Sequence, residues 1–105
     1  MPKIEADTGV ITQINVFTVP EGGQLAMIDL LSEAALSCKG IDGWLSASLH
    51  RSLDGRRVVN YAQARDEAAM KRIFQHLQSH GYIDRNKALG HANPGLYEVV
   101  LTVEA

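Results

Sequence analysis

Cysteine is nearly absent. Cys38 is the only one in 105 residues, which rules out an intramolecular disulfide and a cysteine-built zinc knuckle. A lone thiol of this kind usually behaves as a small buried apolar group. A basic excess is missing as well: 10 Lys and Arg stand against 12 Asp and Glu, so the charge balance does not point to nucleic acid. The opening MPKIEADTG lacks the basic-then-apolar order of a signal peptide, and no apolar run approaches the roughly 20 residues that a bilayer span needs. No membrane association is expected, and the expected location is the cytoplasm. The length suits one domain, residues 1–105, too small to pair a catalytic domain with a separate cofactor domain. Any chemistry must then come from one pocket. The 46% hydrophobic content fits a folded chain rather than a disordered one.

What is present is a regular alternation of element signals. GVITQINVFTV, Gly9 to Val19, is rich in β-branched residues and ends at Pro20, which reads as a first strand. From Gly23 to Lys39, Leu25, Ile28, Leu31, Ala35 and Cys38 recur at helical spacing. Lys39 and Gly40 make a suitable C-terminal stop. Trp44 to Ser52 and Arg56 to Gln63 read as a hairpin around Asp54-Gly55. Asp66 is placed to cap a second helix with the stripe Met70, Ile73, Phe74, Leu77 and a stop at Gly81. Tyr82 to Gly95 reads as a long polar connection with a short helical turn near Lys87 to Leu89, and LYEVVLTVE as the closing strand. The order strand, helix, strand, strand, helix, strand defines an α+β, ferredoxin-like βαββαβ fold: an antiparallel four-stranded sheet with two helices on one face. The second sheet face then needs a cover, most simply another copy of the chain.

The hairpin SLHRSLDGRRVVNYAQAR carries the polar residues of interest, and its register decides which of them share a face. A two-residue turn at Asp54-Gly55 sets His50 opposite Val59 and Leu49 opposite Asn60. A three-residue loop, with Gly55 as a left-handed bulge, sets His50 opposite Val58 and Ser48 opposite Asn60. The second arrangement matches Leu49 with Val59 and Ala47 with Tyr61, which are good cross-strand partners, and it is the expected one. It puts Trp44, Ser46, Ser48, His50, Val58, Asn60, Ala62 and Ala64 on one face, small residues with a few polar groups, as a cavity wall requires.

The stretch GWLSASLHRSLDGRRVVNYAQARDEAAM, above all LHRSLDG followed by VVNYAQ, resembles the antibiotic biosynthesis monooxygenase family. The element order and the closing YEVV extend the likeness over nearly the whole chain. The resemblance implies a homodimeric α/β barrel of ferredoxin-like subunits. It also implies a cofactor-independent monooxygenase acting on a phenolic, anthrone or quinol-like aromatic small molecule. Such a substrate, once deprotonated, reduces dioxygen itself, so the protein has only to assist proton removal, hold the oxyanion and exclude water. By the same resemblance His50 and Asn60 are the expected catalytic pair, His50 accepting a proton and the Asn60 amide donating to a substrate oxygen. Trp44, Ser48, Ala64, Met70 and Arg85 are the expected substrate contacts. Two of these depart from the family pattern, with Ala64 at a tryptophan position and Met70 at a tyrosine position. A non-catalytic dimeric small-molecule-binding domain is the alternative reading.

Other polar residues have simpler readings. Tyr61 and Tyr97 are expected in core, interface or sheet packing, and Tyr82 and Arg85 in the long connection, where Arg85 can pair with an oxyanion. His76 and His80 stand four apart on the second helix, a metal-binding spacing without an evident third ligand. No metal is expected.

Overall fold

The β-branched run after Gly9 sets the first element. In the computed structural model, which describes residues 2–105, it forms strand β1, Ile11–Thr18. Helix α1 follows over Gln24–Ser37, then β2, Trp44–Arg51, and β3, Arg57–Ala64. Helix α2 spans Glu67–Ser79, α3 Tyr82–Leu89, and β4 His91–Tyr97. The strands form one antiparallel sheet in the order β2-β3-β1-β4, which is the ferredoxin-like arrangement, with a third helix inserted before the last strand.

Each helix starts or ends for a local reason. Asp66 caps α2 by accepting the Ala69 N–H at 2.8 Å, and this bond, with the Arg65 charge, holds its carboxyl below the usual range. Gly81, at φ +81°, ends α2 and turns the chain into α3, a backbone conformation that glycine adopts without strain. The inward residues of α1 are Met27, Leu30, Leu31 and Ala34. Of the expected stripe, Leu31 and Cys38 are buried but Leu25 is exposed, so the helix is rotated from the face its leucine spacing indicated. Burial raises the Cys38 thiol pKa.

The core lies between the helices and one sheet face in two clusters. One holds Ile11, Cys38, Ala64, Ala69, Met70 and Ile73, with Trp44 packed against it. The other holds Phe17, Val19, Met27, Leu31 and Val58, with Leu49 and Leu89 at its margin.

The long connection expected over Tyr82 to Gly95 is instead α3 and most of β4. Asp84 in the first turn of α3 and Lys87 in the last both suit the helix dipole. The closing strand also lies earlier than the apolar alternation indicated. HANPGLY pairs with β1, with Pro94 opposite Asn15, because β4 is an edge strand and an edge tolerates the missing N–H of proline. The apolar stretch after Tyr97 is outside the sheet, with Val100, Leu101 and Val103 exposed.

The hairpin register is the other correction. Ser48 lies opposite Tyr61, Leu49 opposite Asn60 and His50 opposite Val59, so the expected three-residue bulged loop is not formed. The loop is longer. Ser52 pairs with Arg57 through a 3.0 Å backbone bond, leaving Leu53, Asp54, Gly55 and Arg56 outside the ladder. Its polar groups close on themselves: Asp54 accepts from the Ser52 hydroxyl at 2.7 Å and the Arg56 N–H at 3.0 Å, which lowers its pKa. The Gln24 amide at the start of α1 then donates to both the Ser52 and Arg57 carbonyls, at 3.1 and 3.0 Å. This register also places Arg51 opposite Val58 and Leu49 beside the Val58 cluster.

Candidate active site

The sheet register assigns every strand residue to a face. Ile11, Gln13, Asn15 and Phe17 of β1 pair with Ala64, Ala62, Asn60 and Val58 of β3, and all eight face the helices. Leu49, opposite Asn60, joins them. His50, opposite Val59, and Ser48, opposite Tyr61, face the other way. His50 and Asn60 are therefore on opposite sides of the sheet, and the expected catalytic pair is not assembled in this chain. The register shift between Trp44 and Ser46 turns Trp44 to the helix side while Ser48 and His50 stay on the open side.

Between sheet and helices lies a cleft of about 1220 Å³. Its floor includes Gln13, Asn15, Phe17 and Asn60, and β4 adds Ala92, Pro94 and Leu96. Leu30 and Leu31 of α1 and Met70, Ile73, Phe74 and Leu77 of α2 make an apolar wall. Tyr82, Ile83, Asn86 and Lys87 present one side of α3. The space is mostly apolar, with a few amides aimed inward, which is the composition of a small-molecule site.

Of the seven site residues expected from the sequence, Asn60 and Met70 line this cleft. Ala64 is fully buried in the neighbouring core, and Trp44, directly across the ladder from it, packs against the same cluster. Trp44 thus fills the space beside Ala64, in the core rather than in the cleft. Ser48 and His50 meet each other on the open face, with Oγ and Nε2 3.2 Å apart. Arg85 turns away from the cleft to Glu33 of α1, at 3.0 Å, and lies over the Tyr82 ring.

The sequence reading missed Asn15. It stands directly opposite Asn60, so their Cβ atoms are about 4.5–5.5 Å apart. Its Oδ1 accepts the Asn93 N–H at 3.1 Å, which fixes the amide and turns its NH₂ group away from β4. In Asn60, Oδ1 is enclosed and has no partner among the described residues. The Asn60 NH₂ is not enclosed in this way and is the part of the amide open to the cleft. Two amide donors thus sit side by side on an apolar floor, where a hydrogen bond to a developing anion is stronger than in water. The signal for Asn15 was in TQINVF. Gln13 and Asn15 alternate with Ile14 and Val16, two polar side chains on the same face as Ile11 and Phe17.

The remaining ionisable groups of the cleft, Glu67, Lys71, Lys87 and His91, are exposed. His76 and His80 lie elsewhere, their rings 4.2 Å apart, with His76 Nε2 3.0 Å from Ser37 Oγ. Among the described residues no three His, Cys, Asp or Glu side chains form a group able to hold a metal ion.

A ferredoxin-like sheet roofed by helices, with an apolar, amide-floored cleft between them, defines an α+β domain with a cavity of small-molecule size. Comparison with known proteins makes the class specific. The family model for antibiotic biosynthesis monooxygenases matches residues 10–85, and the chain belongs to that family. It is 30% identical over 100 residues, 94% of this chain and 89% of the relative, to tetracenomycin-F1 monooxygenase of Streptomyces glaucescens. Two solved structures share the fold. SnoaB, a cofactor-independent oxygenase from Streptomyces nogalater, superposes with a TM-score of 0.82 at 21% identity, covering 92% of this chain and 99% of that one. A monooxygenase of Streptomyces coelicolor, ActVA-Orf6, in complex with nanaomycin D, gives 0.79 at 24%, covering 90% and 91%. No helix among the described residues is long and apolar enough to cross a membrane.

Proposed function

We propose that this protein is a cofactor-independent monooxygenase that inserts one oxygen atom of dioxygen into an anthrone or phenol, converting it to a quinone. The observation that carries the reading is the pair of amide donors, Asn15 and Asn60, on the floor of an apolar cleft large enough for a polycyclic aromatic ring system. Removal of a proton from an anthrone leaves an enolate whose negative charge lies on the ring oxygen, where the two NH₂ groups stabilise it. That anion is electron-rich enough to reduce dioxygen. One oxygen atom becomes the new ring carbonyl, the other leaves as water, and the methylene carbon supplies the electrons. The surrounding Phe17, Leu31, Met70 and Ile73 keep water away from the anion.

His50 has no place in this site. His91 borders the cleft but stands opposite Thr18, which puts its side chain on the open face with His50, and it has no role in this reading. Aerobic incubation with an anthrone tests the proposal, with quinone formation and oxygen uptake as the readouts. Wild type and His50→Ala are expected to turn over alike, and Asn60→Ala about a hundredfold more slowly. Equal rates in all three proteins would overturn the assignment of the cleft as the active site.

The working unit is proposed to be a homodimer. The side of the sheet away from the helices exposes Ile14, Val16, Val59 and Tyr61 in part, and the segment after Tyr97 exposes three further apolar side chains. Both need a cover that one chain does not provide.

A further inference from the structure

The cleft has a polar group on its helical wall that the reading above does not use. Tyr82, Ile83, Asn86 and Lys87 form the inward side of α3, at the spacing of one helical face. Asn86 is the deepest of them, only 7% exposed, and an apolar residue is the ordinary occupant of such a position. Its backbone carbonyl accepts the Gly90 N–H at 3.0 Å, but its side-chain amide has no hydrogen-bond partner among the described residues. Neither amide atom is among the enclosed, unpartnered ones, so the small exposure left to Asn86 includes the amide itself, at a residue that lines the cleft. An amide with no protein partner in an apolar wall has only the solvent of the cleft to bond, and a ligand that displaces that solvent has to supply the bond itself.

We propose that Asn86 is a specificity-determining contact that binds a second oxygen substituent of the substrate, away from the oxygen held by Asn15 and Asn60. This rests on the reading of the cleft as an aromatic-substrate site and narrows it. The preferred substrate carries a hydroxyl or carbonyl on a ring that reaches the α3 wall, in addition to the oxygen on the reacting ring. An amide both donates and accepts, so either substituent is served, and a ring bearing only hydrogen there leaves Asn86 unpaired. Discrimination built on a hydrogen-bonding group left unsatisfied by the wrong ligand is stronger than discrimination by size alone.

The test is a pair of equilibrium titrations with alizarin, whose terminal ring is hydroxylated, and unsubstituted anthraquinone. Wild type is expected to bind alizarin about tenfold more tightly, the equivalent of one well-made hydrogen bond. In Asn86→Leu and, independently, Asn86→Ala, the ratio is expected to collapse to within about twofold of parity. Thermal melts of both variants check that the fold is kept, and an unpaired amide removed from an apolar wall should leave Tm level or raise it in the leucine variant. A preference that survives both substitutions overturns the role of Asn86 while leaving the aromatic site standing. Equal binding of the two ligands by wild type does the same. Failure of wild type to bind either ligand overturns the aromatic-site reading and this inference with it.

Discussion

In the proposed reaction the chemistry rests on two asparagines on neighbouring strands. Asn15 is held by the Asn93 N–H, while Asn60 is held only by the packing around its sealed carbonyl oxygen, so Asn15 is the more rigid donor. Substituting each tests the donor role directly. Asn60→Asp keeps the size of the side chain but replaces the NH₂ with an acceptor, and it is expected to slow anthrone oxidation at least as much as Asn60→Ala. Asn15→Ala removes a donor and also unpairs a β4 amide, so it is expected to lower both turnover and Tm. A rate in Asn60→Asp close to wild type would show that no donor is needed there. Asn60 was legible in the sequence through the family-like VVNYAQ, whereas Asn15 was not. It lies in a run that reads as strand whatever its polar members do, and only the sheet register shows that it faces Asn60. The placement of His50 was misread for a related reason: whether it shares a face with Asn60 depends on one residue of loop length.

At the scale of elements, the loops that fix the helices matter as much as the strands. Gly43 sits at φ +88°, and a Cβ built on it would lie 2.4 Å from the Ala69 Cβ of α2. Its carbonyl also accepts the Arg65 N–H at 2.8 Å. Gly43→Ala is therefore expected to push α2 from the sheet and destabilise the protein by about 2–5 kcal/mol, combining backbone strain with overpacking. Denaturant titration measures this, and a change below about 1 kcal/mol would mean that the contact yields easily. The neighbouring loop adds a pH dependence. Asp42, held by Arg65, and Asp66, bonded to the Ala69 N–H, both have lowered pKa values. Their stabilising effect is complete above the unfolded carboxylate pKa of about 3.9 and is lost as pH falls through the lower folded values. Tm is expected to be level from these groups above about pH 5 and to fall below about pH 4. Asp66→Asn should flatten that fall, because asparagine still caps a helix but does not titrate. Element type and order were legible in the sequence up to Ser79. After that, α3 and β4 were not, since HANPGLY has the composition of a turn and is a strand only because β1 offers it a ladder.

The whole molecule leaves one face of its sheet without a helix layer, and this makes association the natural prediction at this scale. On that face Val16 and Val59 stand opposite each other, Ile14 opposite Tyr61, and His50 beside them. The chain after Tyr97 then continues with Val100, Leu101 and Val103 exposed by 81%, 73% and 82%, more apolar surface than an isolated small chain usually shows. A two-fold contact that buries this face and the tail would need to cover roughly 1,200–2,000 Å² in total to be stable. Sedimentation equilibrium at micromolar concentration is expected to give twice the 11.5 kDa of one chain. Val59→Arg puts a charge in the centre of the face, and its arginine stays solvated only in the free chain. It is expected to give a monomer whose far-UV spectrum is unchanged. Deletion of residues 98–105 removes the tail without touching a sheet strand, and it is expected to weaken association by a smaller factor. Since His50 lies on this face and away from the cleft, His50→Ala is expected to shift the monomer–dimer balance more than it shifts turnover. A wild-type protein that sediments as one chain at these concentrations would refute the dimer and leave the cleft chemistry as the property of a single subunit.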